Sequence, residues 1–274
     1  MKYLDKLLRL FQAKPKRSKE QDQWFIALKY REKDMFNLKN LVHIHAPKGH
    51  FWADPFVIEH QNKHYIFYED YDYVKGVIGV AEIRGLKLIK PRTVLSHRKH
   101  MSFPAVFSHQ DQVFMTPECI NSRKLLIYIA SQFPDKWKVY AEVARGKFED
   151  PVIKKLDDGF EIWATEGRGQ QRVFYAEKLE GPWVATKKTK NLLSRSAGHF
   201  INDWRPVQDS TKTYGGAIKF LKGKKIVKSI YPTWAKNIIG THTFNTSAKY
   251  VVIDGKRSFK NRVENRRNVH SHSA

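Results

Sequence analysis

The sequence predicts an all-β chain folded as a five-bladed β-propeller, on three observations. Residue-proline pairs recur at Asp54-Pro55, Phe103-Pro104, Asp150-Pro151 and Arg205-Pro206, with proline spacings of 49, 47 and 55. Each pair opens a set of short apolar-aromatic runs broken by turn residues, and long helical periodicity is scarce after Trp24. The 274 residues hold 17 Phe, 12 Tyr and 7 Trp, a strand-favouring composition with room for five such units. A repeat of about 50 residues carrying several strands is the signature of propeller blades, which bury their faces only by packing against one another.

Taken in order, residues 1–22 form a separate basic segment. Leu4, Leu7, Leu8 and Phe11 fall at helical spacing between Lys2, Lys6 and Arg9, and AKPKRSK follows. This predicts a short amphipathic helix suited to an anionic membrane surface. The propeller is assigned to residues 23–257. FVIEHQNKHYIFYEDYDYVKGVIGVAEI reads as three strands with turns at His60–Lys63 and near Lys75–Gly76. AVFSHQDQVFMTPE repeats the pattern with its turn at His109–Gln112. The next copy turns at Asp157-Asp158-Gly159, and the fourth at Asp209–Lys212. GTHTFNTSAKYVVIDGKR supplies part of a fifth. Residues 258–274 complete a basic, apolar-poor stretch and are read as a flexible tail.

Charge narrows the partners. Lys and Arg number 50 against 27 Asp and Glu, a net charge of +23. Such an excess implies a polyanionic partner: nucleic acid, an anionic membrane or a phosphorylated substrate. No nucleic-acid recognition motif accompanies it, so nucleic acid is not the expected partner. The single cysteine, Cys119, excludes an intramolecular disulfide framework and reads as a small buried apolar residue. No apolar run reaches membrane-spanning length and the N-terminus lacks the pattern of a secretory signal. The expected location is cytoplasmic, peripheral on the inner face of the cell membrane.

In a propeller the innermost strands converge on one funnel, so residues at the blade starts become neighbours. Asp54, Asp150 and Arg205 are the candidates there, with Trp52, Asp203 and Trp204 beside them. Glu118 in MTPE and Glu166 in WATEGRG follow on the next strands, and His242 stands in THTFN. Carboxylates among aromatic platforms suit sugar chemistry, one as base or nucleophile and another as proton donor. Arg205, with Gln208 and His242, is expected to bind a leaving phosphate or sugar hydroxyls, with Arg98 and Lys99 assisting. Asp70-Tyr71-Asp72 has the spacing of a metal motif but closes an aromatic strand, and is read as a solvated turn. No metal and no cofactor are expected.

These motifs together carry a resemblance. Trp52-Ala53-Asp54-Pro55-Phe56, Tyr68-Glu69-Asp70, Ser102-Phe103-Pro104, Pro117-Glu118 and Asp150-Pro151 are followed by Arg205-Pro206, Gln208-Asp209, Tyr214-Gly215 and His242-Thr243-Phe244-Asn245. The ordered set, from about Trp24 to Arg257, resembles five-bladed propeller carbohydrate enzymes of the arabinanase/β-xylosidase type. It is most similar to the propeller domain of glucosamine inositolphosphorylceramide transferases and their bacterial relatives. The resemblance implies action on glycosidic bonds, with Asp54, Glu118, Asp150 and Glu166 as candidate catalytic acids. Trp52, Arg205, Gln208, Asp209, Tyr214 and His242 become candidate substrate-binding residues. The expected function is a glycosyltransferase moving sugar from a nucleotide-sugar donor to a glycan or lipid-linked glycan acceptor at the cytoplasmic membrane face. A glycoside hydrolase and a non-catalytic glycan-binding propeller are the alternatives.

Overall fold

The computed structural model describes residues 20–260, apart from 168, 191, 192 and 194. The predicted N-terminal helix therefore lies outside the described residues, as does most of the predicted tail. The described part is β-structure throughout, with one 3-10 turn at Ile120–Ser122.

The chain starts in the blade that it will finish. Strand β1 (Glu20–Tyr30) pairs antiparallel with β2 (Val42–Ile44) on its outer side. Blade one follows as β3 (Phe51–His60), β4 (Lys63–Tyr71), β5 (Gly76–Arg84) and β6 (Lys87–Leu95). Blade two is β7 (Ser102–His109), β8 (Gln112–Glu118), β9 (Lys124–Gln132) and β10 (Lys136–Arg145). Blade three is β11 (Phe148–Lys155), β12 (Phe160–Glu166), β13 (Gln170–Ala176) and β14 (Val184–Lys190). Blade four carries β15 (Trp204–Asp209), β16 (Ala217–Lys222) and β17 (Lys225–Ile230). Blade five carries β18 (Phe244–Thr246) and β19 (Tyr250–Lys260), completed by β1 and β2. The β1–β19 register runs from Glu20↔Lys260 to Tyr30↔Tyr250, so eleven residues of each chain end close the ring. Closure in this way leaves only short, protected edges around the axis.

Local sequence explains the tight turns. β3 to β4 and β7 to β8 are joined by two residues each, Gln61-Asn62 and Gln110-Asp111. All four have left-handed backbone, with φ of 49°, 60°, 47° and 60°. That geometry matches the twist of the flanking strands, and Asn and Asp tolerate it best among residues other than glycine.

The core consists of apolar seams between blades. Phe56, Phe67 and Val80 of blade one meet Phe103 and Met115 of blade two. Phe114 and Ile127 of blade two meet Phe148, Ile162 and Phe174 of blade three. Phe25 and Ile253 of blade five meet Ile218 and Phe220 of blade four, and Leu28 and Val252 meet Trp52 and Ile66 of blade one. Each fully buried Phe contributes about 2 kcal/mol of transfer free energy.

Blade four departs from the repeat. Its residue-proline pair is on the second strand. The innermost position belongs to Arg195–Ala197, which pairs with β15 through Gln208 N–H to Arg195 O (2.9 Å) and Ala197 N–H to Pro206 O (3.0 Å). The 55-residue spacing before Pro206 is the trace of this inserted strand in the sequence.

Candidate functional site

Three blade starts share one backbone device. Asp54, Phe103 and Asp150 each precede a proline and each adopts a left-handed conformation, with φ of 51°, 49° and 47°. The ladder slips at the same places: between Ala53 and Phe56, Ser102 and Ala105, Glu149 and Val152. A bulge of this kind re-aims a side chain or an N–H, and costs about 1–3 kcal/mol where a residue other than glycine is left-handed.

The re-aimed groups link the blades in a ring. Asp54 N–H donates to Asp254 Oδ2 of blade five (3.3 Å). Phe103 N–H donates to Asp54 Oδ2 (3.1 Å), and Asp150 N–H donates to Glu118 Oε2 (3.0 Å). Asp150 in turn accepts from blade four: Arg195 Nε at 2.5 Å, Arg195 Nη2 at 3.2 Å and Gln208 Nε2 at 3.0 Å. Each acid thus receives a donor from the following blade.

These acids open into a cavity of about 310 Å³ at the head of the axis. Asp54, Glu69, Glu118, Glu149 and Asp150 supply its carboxylates, and His100, Arg195 and His242 its basic groups. Trp24, Phe51, Tyr71 and Tyr214 supply ring surface. Trp24 stacks on the His242 imidazole, with centroids 3.9 Å apart and planes inclined by 13°, and Tyr214 meets both edge-on. A larger cavity of about 450 Å³ lies at the opposite end, lined by Val57, Phe107, Ile153, His199 and Phe200. Glu59 is its one carboxylate, so the converging acids make the smaller cavity the candidate site.

Two electrostatic arrangements face each other across the funnel. On one side His242 Nδ1 lies 2.5 Å from Asp254 Oδ2 and 3.7 Å from Asp54 Oδ1. Asp254 also accepts the His242 and Thr243 N–H groups, and the Thr243 hydroxyl donates to Asp54 Oδ1 at 2.8 Å. Burial raises the Asp54 carboxyl to about 7; the imidazolium opposes the rise, while Glu69 and Asp254 add to it. Burial works against the His242 charge, but Asp254 and Asp54 outweigh it and lift the imidazole to about 9. On the other side, burial and then Asp150 push Glu118 well above the usual carboxylate range. Between them, Glu69 accepts from His100 Nε2 at 2.9 Å. His100 Nδ1 accepts the Gly76 N–H, which fixes the tautomer, and the Glu69 bond raises this imidazole's proton affinity. Asp54, His242 and Asp254 have ligand atoms close enough for a cation. Their oxygens also accept from the Thr243 hydroxyl and from the Phe103, Asp54, His242 and Thr243 N–H groups.

The residues singled out from the sequence divide by position. Asp54, Glu118, Asp150, Tyr214 and His242 line the cavity. Glu166 does not. On the second strand, the places matching Glu69 and Glu118 relative to the bulge are set by Ala53↔Glu69, Ser102↔Glu118 and Glu149↔Thr165. Thr165 occupies the acid position in blade three, and one residue further on the side chain turns to the other face. Glu166 there pairs with Arg172 at 2.8 Å. Arg205 is also outside the cavity. It is buried between blades, donating to Gln171 Oε1 (2.7 Å) and lying 5.0 Å from the Trp163 ring centre. Gln208 stands behind Asp150, Asp209 caps its own turn through Thr211, and Trp52 packs on Tyr68 in the core. Arg98 and Lys99 are exposed on the loop before β7. Asp72 accepts the Val74 and Lys75 N–H groups, as a turn residue does.

Glu69, His100, Arg195 and Trp24 escaped the sequence reading. Glu69 was legible as the blade-one counterpart of Glu118, and Arg195 through the irregular spacing. The stack of Trp24 on His242 joins blade five across the chain closure and has no local signal.

Residues 38–264 match the family model described as glucosamine inositolphosphorylceramide transferase 1, N-terminal. The glucosamine inositolphosphorylceramide transferase 1 of Oryza sativa subsp. japonica is 27% identical over 204 residues, 67% of this chain and 27% of that protein. Its Arabidopsis thaliana counterpart is 26% identical over the same coverage. The chain thus spans about 27% of the length of the curated relatives it matches. Among solved structures, an exo-1,5-alpha-L-arabinanase from a bovine ruminal metagenomic library has a TM-score of 0.52 at 14% identity, covering 77% of this chain and 95% of that one. The beta-fructofuranosidase of Schwanniomyces occidentalis has a TM-score of 0.53 at 10% identity, covering 77% and 52%. At such identities these two share the fold alone. The five-bladed ring, the ordered motifs that build its funnel and the family match over residues 38–264 agree: the chain belongs to the glucosamine inositolphosphorylceramide transferase 1 N-terminal family.

Proposed function

We propose that the funnel transfers a glycosyl unit from a phosphate-activated sugar to a hydroxyl of a glycan or lipid-linked acceptor, at the cytoplasmic face of an anionic membrane. One observation carries this reading. Asp54 is gripped by the Thr243 hydroxyl and the Phe103 N–H and titrates near neutrality, while burial and Asp150 push the Glu118 carboxyl upward toward its acid form. A base and an acid separated by environment are what glycosyl transfer needs. In the step, the bond from the anomeric carbon to the donor phosphate oxygen breaks and the phosphate leaves with the electron pair. The acceptor oxygen bonds to that carbon, and its proton passes to Asp54. Glu118 donates a hydrogen bond to the leaving oxygen. Arg195, which takes the place foreseen for Arg205, faces the cavity beside Asp150 and neutralises the phosphate. Tyr214, half-exposed at the cavity, offers ring surface to the sugar, with the buried Trp24 in the wall behind it. The transferase names of the relatives support the reaction class, and the excess of cations supports an anionic surface.

The test is a thermal-shift screen of the whole chain against nucleotide sugars, free nucleotides and oligosaccharides, followed by product analysis with the ligand that stabilises most. Stabilisation by a nucleotide sugar, with an acceptor-linked product lost in Asp54→Asn, is the expected outcome. Free sugar formed without acceptor would assign hydrolysis instead. Stabilisation by oligosaccharide with no turnover would assign binding alone.

A further inference from the structure

We propose that the funnel-side face of the propeller docks on an anionic lipid bilayer, with the 72–75 loop seated in the interface and the cationic loops around the funnel on the headgroups. The inference takes the membrane location from the reading above and adds the face that makes contact.

The innermost strands all run away from the funnel, so the loops between strands sort cleanly onto two faces. On the funnel side, residues 45–50, 72–75, 96–101, 119–123, 146–147, 210–216 and 231–243 hold eight Lys or Arg and one acid, Asp72. On the far side, residues 31–41, 61–62, 85–86, 110–111, 133–135, 156–159, 177–183, 198–203, 223–224 and 247–249 hold six Lys or Arg and nine acids. Within the loops the charge is uneven, strongly basic at the funnel and net acidic on the far side, where exposed cations such as Lys63, Lys87 and Lys225 stand instead at the strand ends. Lys48, Arg98, Lys99, Arg123, Lys147 and Lys212 are all exposed. The β1–β19 register brings Glu20 and Lys260 together at the funnel end. Residues 1–19, with seven Lys or Arg against one Asp, and 261–274, with three Arg against one Glu, join the propeller on that same face.

Apolar exposure selects a bilayer among polyanions. Val74 is 85% exposed, the highest of the large exposed apolar side chains, and it is at the tip of the 72–75 loop between Tyr73 and Lys75. Ile239, 44% exposed, is on the 231–243 loop of the same face. Aliphatic tips among lysines suit an interface that is charged outside and apolar beneath, whereas RNA or a charged glycan offers Val74 nothing.

The test is co-sedimentation of the full chain with phosphatidylcholine vesicles with and without phosphatidylserine. Two variants are compared: Lys48→Glu/Lys147→Glu/Lys212→Glu on the funnel side and Lys33→Glu/Lys224→Glu on the far side. Each cation near the surface is worth roughly fivefold in binding, so the funnel-side triple variant is expected to lose at least about a hundredfold on phosphatidylserine vesicles. The far-side variant is expected to bind like wild type, and Val74→Ser to weaken binding with no change of charge. Equal losses from both faces, no loss from the triple variant, or wild-type binding to single-stranded RNA in preference to the vesicles would overturn the proposal. The same variants are put through the sugar-ligand thermal shift. Docking variants are expected to keep the ligand response and Asp54→Asn to keep the vesicle binding, so failure of the docking face and failure of the sugar reading are separate results.

Discussion

The two walls of the funnel hold their acids with different cations. On the blade-one wall Asp54 faces His242, a cation that can lose its charge within the range where proteins work. On the blade-three wall Asp150 is clamped by Arg195, a cation that cannot, and burial notwithstanding Asp150 holds that guanidinium well above its ordinary value. The first wall can pass protons, while on the second the Asp150–Arg195 pair presents fixed charge beside Glu118. This division assigns proton transfer to Asp54 and the handling of an anionic leaving group to the Arg195 side.

The comparison is broken most directly at Asp54. Asp54→Asn keeps the size but accepts only one of the Phe103 and Thr243 bonds and cannot take a proton, so turnover is expected to fall about a thousandfold in steady-state assays while ligand stabilisation persists. Glu118→Gln is expected to cost about a hundredfold with phosphate donors of poor leaving ability and less with better leaving groups, which a donor series would reveal. On the fixed-charge wall the larger effect is on folding. Arg195→Ala leaves Asp150 buried beside Glu118 without its guanidinium, and is expected to lower unfolding free energy by about 3 kcal/mol in urea titrations. Arg205→Ala should cost about 2 kcal/mol through the lost Gln171 bond and Trp163 contact, with ligand affinity unchanged.

Acidity sharpens the contrast between the walls. His242 is raised from 6.5 to about 9, so its contribution to stability is complete below about 6.5 and is lost as pH climbs to about 9. Asp54, raised from 3.8 to about 7, acts in the same direction over its own lower window. Thermal midpoints are therefore expected to fall from pH 6 to pH 9, a slope that His242→Gln reduces and Arg195→Lys leaves in place. The smallest expected effect is at Glu166. Glu166→Gln loses a partly exposed pair with Arg172 and should shift stability by less than about 0.5 kcal/mol, with turnover unaffected.

The fold was legible because each blade repeats a physical necessity. The residue-proline pairs mark where an inner strand begins, and their period sets the number of blades. The turns Gln61-Asn62 and Gln110-Asp111 were readable because two-residue hairpins demand left-handed backbone. The cavity lining was legible wherever that phase held, at Asp54, Glu118 and Asp150. It failed at Arg205, where an extra strand moved the proline pair one position outward and left Arg195 in the inner place. It failed again at Glu166, because the bulge sets the register and puts Thr165 at the acid position. His242 and Tyr214 came from the motif order, but their stack with Trp24 depends on the closure of blade five by β1. No local pattern reports a contact made between opposite ends of a chain.

The central claim is that the smaller, charged cavity is the sugar site. It is tested most directly by a crystal structure of Asp54→Asn bound to the nucleotide sugar that stabilises the chain most. The expected result is a sugar ring against Trp24 and Tyr214, with its anomeric carbon between residue 54 and Glu118 and its phosphate on the Arg195 side. Ligand in the opposite cavity, beside His199 and Phe200 and away from the ring of acids, would contradict it.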